Sequence, residues 1–144
     1  MHAPWMKDGK FYATNGHVIV ESLTAPEGIA INDESARLPN NIAAMFSAAF
    51  ADPQWRELPE LPAFDPCPVC GGTGIEEGET CHACGGYGEA IKRIAVGDTG
   101  FCIRYMRLLS SLPGVRLSPN GMSPCPFIFE GGRGVVMPMR NWPN

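Results

Sequence analysis

One phrase occurs twice in this chain: Cys67-Pro68-Val69-Cys70-Gly71-Gly72-Thr73-Gly74, then Cys81-His82-Ala83-Cys84-Gly85-Gly86-Tyr87-Gly88. Each copy opens on a CxxC pair. A CxxC bend turns two sulfurs to one side, and two such bends complete a tetrahedron around zinc at Zn–S distances of about 2.3 Å. The glycines after each pair permit positive φ and close backbone approach, so that N–H groups can point at the thiolates. Residues 71–80 separate the pairs, which leaves room for a loop or a short hairpin. Cys67, Cys70, Cys81 and Cys84 are therefore the expected ligands of one structural Zn2+. Four thiolates fill a tetrahedral sphere and leave no open position for catalysis. A disulfide or redox role for either CxxC has less support, because no thioredoxin-like βαβ pattern surrounds it. His82, inside the second pair, reads as a bystander.

The repeated CxxCxGxG resembles the cysteine-rich zinc domain of DnaJ-type co-chaperones over residues 67–88. That family carries four such repeats and two zincs, whereas two repeats here allow one zinc. No J-domain hairpin or His-Pro-Asp signature accompanies them. The resemblance implies a knuckle geometry and not a chaperone.

With 144 residues the default is one domain with a modest core. The content of 17 glycines and 14 prolines predicts many turns and short elements. A net charge of −4 argues against non-specific nucleic-acid binding by the whole surface. No run approaches the ~20 apolar residues of a membrane span, so no membrane partner is expected. The N-terminal residues show no signal-peptide plan. Cys102 and Cys125 sit in apolar settings as buried free thiols. Together with a thiolate zinc site they point to a reducing, cytoplasmic setting.

Along the chain, two halves flank a cysteine-rich insert: residues 1–66, 67–88 and 89–144. Asp8-Gly9 and Asn15-Gly16 are two-residue turn signals, and residues 11–14 and 17–21 read as strands around the second. A loop with Pro26 and Gly28 and a short apolar stretch at 29–31 follow. Residues 42–50 read as a helix, with Ile42, Met45, Phe46 and Ala49 at helical spacing and Asn40 or Asn41 as cap. Prolines make 52–66 a linker. The acidic loop Glu76-Glu77-Gly78-Glu79 disfavours phosphate contact at the insert. Residues 90–96 read as a strand and 97–100 as a turn. Residues 103–112 read as a helix with Ile103, Met106, Leu109 and Leu112 on one face and Arg104, Arg107 and Ser111 on the other. Pro113-Gly114 stops it. Residues 115–117, 127–130 and 135–139 read as strands. The expected class is α+β.

The stretch from Phe101 to Leu112, followed by Gly134-Val135-Val136-Met137-Pro138-Met139-Arg140, resembles the end of a bacterial sliding clamp, the β subunit of DNA polymerase III. Residues 13–20, Ala-Thr-Asn-Gly-His-Val-Ile-Val, resemble that family's ATDGHRLAV hairpin, with Asn15 in place of Asp and Val18 in place of Arg. Leu38-Pro39 with the helix at 42–50, and residues 51–59, resemble the elements that follow. The resemblance implies a single DNA-clamp-like domain, an antiparallel sheet packed on two helices, with the zinc knuckle inserted. In that family the hairpin and tail line a groove for short hydrophobic peptides of polymerases and other clients. Carried over by position, the groove candidates are Thr14, Gly16, His17 and Ile19 with Val135, Val136, Met137, Pro138, Met139 and Arg140. Adaptable Met side chains suit such a groove. The alternative for Val135, Val136 and Met137 is an ordinary core strand. Clamps face duplex DNA with basic helices, which makes Arg104 and Arg107 the candidate DNA contacts; the alternative is a solvated helix face.

Two functions follow as expectations. One is a non-enzymatic clamp-like replication or repair module that binds partner peptides and double-stranded DNA. The other is a zinc-knuckle binding protein whose insert recognises protein or nucleic acid. For an enzyme the sequence offers no Ser-His-Asp order, no phosphate loop and no open-site metal motif. A clamp ring of six domains would take about six such chains, so a homo-oligomer is one expectation and a monomer that competes for clients is the other.

Overall fold

The computed structural model describes residues 5–7, 10–14, 17–22 and 42–139. The turns at Asp8-Gly9 and Asn15-Gly16, the loop and apolar stretch at 26–31 and the cap at 40–41 lie outside these residues, as do the candidates Gly16 and Arg140.

Strands β1 (Trp5–Lys7), β2 (Lys10–Thr14) and β3 (Val18–Ser22) come first, then helix α1 (Ile42–Ala49) and strand β4 (Arg56–Glu57). The cysteine-rich segment contributes β5 (Ile75–Glu76) and β6 (Glu79–Thr80). Beyond it lie β7 (Arg93–Val96), β8 (Thr99–Cys102), α2 (Ile103–Ser110), β9 (Arg116–Leu117), β10 (Cys125–Phe129) and β11 (Gly132–Val136). The chain is α+β, with a main sheet ordered β1-β2-β3-β11-β10-β9-β4 and two hairpins, β5-β6 and β7-β8. Every pairing is antiparallel.

β3 lies at the join of the two flanks. It pairs with β2 on one side and with β11, more than a hundred residues later, on the other. The stretches before and after the insert therefore build one sheet. Alternation along β3 and β11 then loads both faces. Val18 and Val136, a cross-strand pair, join Phe101, Met106, Leu109, Leu117 and Phe127 in one core. Ile19 and Val135, the next pair, join Tyr12, Ile42, Phe46 and Ala49 in the other. α1 covers this second face through Ile42, Phe46 and Ala49, spaced as one helical stripe. α2 covers the first face through Tyr105, Met106 and Leu109.

The second face also holds a charge. Glu21 is buried, and both its carboxylate oxygens are used: Tyr12 Oη donates at 2.7 Å and Arg133 Nε at 2.8 Å. The Arg133 guanidinium stacks 4.9 Å from the ring centres of both Phe46 and Phe50. On the first face, Gly134 sits opposite Phe127 across β10-β11, and a Cβ on Gly134 would run into the Phe127 ring and the Ile19 carbonyl. The ring lies over the bare backbone, a close approach that only glycine permits.

Several boundaries differ from the sequence reading. Within 52–66, read as a linker, β4 pairs with β9, and Leu58 and Leu61 pack against the first core. Residues 99–102, of which 99–100 were read as turn and 101–102 left unassigned, are strand β8, with Phe101 and Cys102 buried. The last strand ends at Val136 and not at Met139. Beyond it Met137 N–H donates to the His17 carbonyl at 2.8 Å and Met139 N–H to the Gly100 carbonyl at 2.8 Å. The tail thus bridges the main sheet and the β7-β8 hairpin. No helix among the described residues is long and apolar enough to cross a membrane.

Candidate metal centre

The sequence repeat is also a repeat of backbone. Gly71 and Gly85 share φ of 66°, and Gly74 and Gly88 share φ of 77°. Cys67 N–H donates to the Gly88 carbonyl and Cys81 N–H to the Gly74 carbonyl, both at 2.9 Å. Gly74 N–H points at Cys70 Sγ and Gly88 N–H at Cys84 Sγ, both at 3.3 Å. The two knuckles meet through their glycines. A Cβ on Gly74 would strike the Gly86 carbonyl, and one on Gly88 would strike the Gly72 carbonyl. Each knuckle therefore closes on the other about an approximate twofold axis, and both copies need glycine at the same two places.

This packing gathers the four sulfurs. The Sγ atoms of Cys67, Cys70, Cys81 and Cys84 all lie within 4.8 Å of one another, and Cys67, Cys81 and Cys84 are buried. Cys70 Sγ and Cys84 Sγ are 3.7 Å apart. A tetrahedron with metal–sulfur bonds of about 2.3 Å has edges of about 3.8 Å, so the cluster has the dimensions to hold a metal ion. None of the six cysteines is in a disulfide. Electrostatics point the same way. Burial pushes the Cys70 thiol up, but N–H groups of Gly74 and Gly72 and the neighbouring sulfurs outweigh it and bring it down to about 6. At Cys81, N–H groups of Cys84 and Ala83 favour the thiolate; burial and the Cys84 and Cys70 sulfurs oppose them and push the thiol up to about 11. Four adjacent thiolates would repel one another, and a bound cation would offset that repulsion. His82 contributes no ligand atom to the cluster.

The stem that carries the knuckles is a short antiparallel ladder: Pro66 bridges Glu89, and Ala90 N–H donates to the Asp65 carbonyl at 2.8 Å. Beyond the second knuckle, Tyr87 and Glu89 meet α2. Arg104 Nη1 donates to the Cys84 carbonyl at 3.1 Å, and its guanidinium lies 4.9 Å from the Tyr87 ring centre. Arg107 grips buried Glu89 from Nε, at 2.8 Å to each carboxylate oxygen, and donates to the Pro62 carbonyl. Tyr87 and Glu89, on either side of Gly88 at φ 77°, thus meet Arg104 and Arg107, which lie one helical turn apart. Sequence reasoning took the two arginines for DNA contacts or a solvated face. The structure turns both toward the insert, and Glu89 holds the Arg107 guanidinium more firmly protonated. Glu89 and Tyr87 went unnoticed as docking residues, because no local pattern in the sequence pairs them with the arginines.

The groove candidates are brought together in part. Hairpin and tail are adjacent, since β3 pairs with β11. Yet Thr14 and Ile19 are buried, and Val135 and Val136 are core residues on opposite faces of the sheet. Pro138 is covered, while Met137 and Met139 are half-buried and Met139 leans on the first core. His17 is exposed and stacks on Tyr105, with ring centres 5.2 Å apart and planes 20° apart. Burial pushes the Tyr105 phenol up, partly offset by Arg104. The side chains open at this seam are thus His17, Met137 and Met139.

Fold and site together define an α+β sheet with a docked four-cysteine lobe able to hold a metal ion. No protein-family model, curated protein or solved structure matches the chain.

Proposed function

We propose that this chain is a non-enzymatic binding module of the sliding-clamp type. Its four-cysteine cluster holds one structural zinc, and the hairpin–tail seam takes up short apolar peptides of replication or repair proteins. One observation carries the peptide reading: the Met137 N–H to His17 carbonyl bond sets the hairpin and the Met137-Pro138-Met139 tail side by side, as the clamp resemblance requires. Met side chains adapt to varied apolar anchors, and the exposed His17 ring gives the seam a polar rim. Zinc is favoured over other ions by the all-thiolate donor set and the closed tetrahedral spacing. Contact with double-stranded DNA has weaker support, because Arg104 and Arg107 would have to leave Cys84, Tyr87 and Glu89 to reach phosphates.

Titration with a clamp-client type peptide tests the seam. Micromolar binding is expected, with marked weakening by Met139→Ala combined with Arg140→Ala. An absence of binding at millimolar peptide contradicts it. A second function, recognition by the insert itself, is favoured by the apolar side chains exposed there.

A further inference from the structure

Arg104 stands on α2 between the second knuckle and the hairpin–tail seam. Its guanidinium reaches into the knuckle. Nη1 donates to the Cys84 carbonyl at 3.1 Å, and a Cβ on Gly85 would lie 2.7 Å from Nη1. Gly85, at φ of 66°, thus lets the cation rest on bare backbone. The guanidinium carbon lies 4.9 Å from the Tyr87 ring centre and 5.4 Å from that of Tyr105. Nε is buried without a hydrogen-bond partner, and among the described residues no carboxylate pairs with Arg104. A cation held by one carbonyl and two rings takes its place from those groups. The Cys84 carbonyl and Tyr87 both belong to the metal lobe.

Contact continues on the other side of Arg104. Tyr105 is buried and stacks on the exposed His17 ring, with centres 5.2 Å and planes 20° apart. The His17 carbonyl accepts the Met137 N–H at 2.8 Å, the bond that sets hairpin and tail side by side. Contacts therefore run unbroken from Cys84 through Arg104, Tyr105 and His17 to Met137. The element able to switch is the turn from Cys84 to Tyr87. The cysteine cluster packs apart from both apolar cores, and Tyr87 is half exposed, so little besides a metal holds this turn in place. When the turn loosens, the guanidinium loses its carbonyl and one of its rings. Tyr105 then loses a packing neighbour, and His17 the fixed surface on which it lies.

We propose that the metal-filled lobe positions His17 through Arg104 and Tyr105, and so sets how well the hairpin–tail seam binds its peptide. Arg104 is a positioning residue, neither a metal ligand nor part of the seam. The peptide half of this proposal rests on the seam reading above; the positioning of His17 does not. Linkage is reciprocal, so bound peptide tightens the metal by the same factor.

The test uses the reduced full chain, zinc-loaded and after chelation, with native mass spectrometry verifying each state. The first readout is the NMR signal of the His17 ring, assigned by its loss in His17→Gln. Stacking on Tyr105 should hold its carbon-bound protons upfield in the loaded chain. Chelation should return them toward free-imidazole positions while β3 keeps its amide protection. Arg104→Gln keeps a donor for the Cys84 carbonyl and lacks the planar cation. It should shift His17 in the same way with zinc still bound, and chelation should then add little. The second readout is titration with a short synthetic peptide carrying leucine and phenylalanine anchors. Chelation and Arg104→Gln should each weaken binding by about fivefold or more. Lys92→Gln, which breaks the exposed ion pair with Asp65 on the stem, should change neither readout. His17 signals that stay in place when zinc leaves, or that move only as β3 loses protection, would overturn the proposal. So would an unshifted His17 in a zinc-holding Arg104→Gln chain, or a peptide affinity indifferent to zinc. A loaded chain that binds no peptide while His17 responds as expected would contradict the seam reading alone.

Discussion

At single positions, bare backbone decides more than side chains do. Gly74 and Gly88 are fixed twice over, by positive φ and by the carbonyl each one touches. Their role was legible, since a glycine four residues after the second knuckle position recurs in both copies. Gly134 was not legible, because its reason lies on another strand: the Phe127 ring fills the space a Cβ would need. Gly134→Val should cost about 2–3 kcal/mol by overpacking, read as a lowered urea midpoint with an unchanged slope. A stability equal to that of the parent would show that the ring has room to move. The buried Tyr12–Glu21–Arg133 group was equally hidden. Its members are far apart in sequence and become cross-strand neighbours only through the register of β2, β3 and β11.

Helices and strands were readable wherever periodicity was strong. Both helices appeared close to their expected spans, at Ile42–Ala49 and Ile103–Ser110. The polar face of α2 was visible too, but its partner was not, because a helix pattern says which side is polar and not what meets it. The stem returns Glu89 to Arg107 through a loop closed by the cysteines, a contact no local pattern encodes. Arg107→Ala should therefore destabilise the protein by about 2–3 kcal/mol, since it strands the buried Glu89 carboxylate. Much of that loss should be recovered when Glu89→Ala is added, and a double-mutant cycle measures the coupling. Purely additive losses would mean that the ion pair is incidental to docking. β4 and β8 were missed for a related reason. β4 is two residues long and its pairing is distant, and β8 is buried throughout and shows no alternation.

Across the whole molecule, metal lobe and sheet are distinct in what stabilises them. The cysteine cluster packs apart from both apolar cores, and its backbone is Gly- and Pro-rich with little apolar surface of its own to bury. Chelation should therefore open residues 67–88 while β3, β10 and β11 keep their amide protection, as followed by hydrogen exchange. Simultaneous loss of protection throughout would place the lobe inside the cooperative unit of the sheet. The α+β class and the metal cluster were legible in the sequence. The joining of the two flanks was expected only from the resemblance to a single clamp-like domain, because the pairing of β3 with β11 across more than a hundred residues leaves no local trace. The most direct measurement of the central claim, that the repeated knuckles form a zinc staple, is native mass spectrometry of the reduced full chain. One zinc per chain is predicted, lost on Cys67→Ser, with the same spectrum reading the number of chains per particle. A folded, fully reduced chain with no bound metal would contradict it.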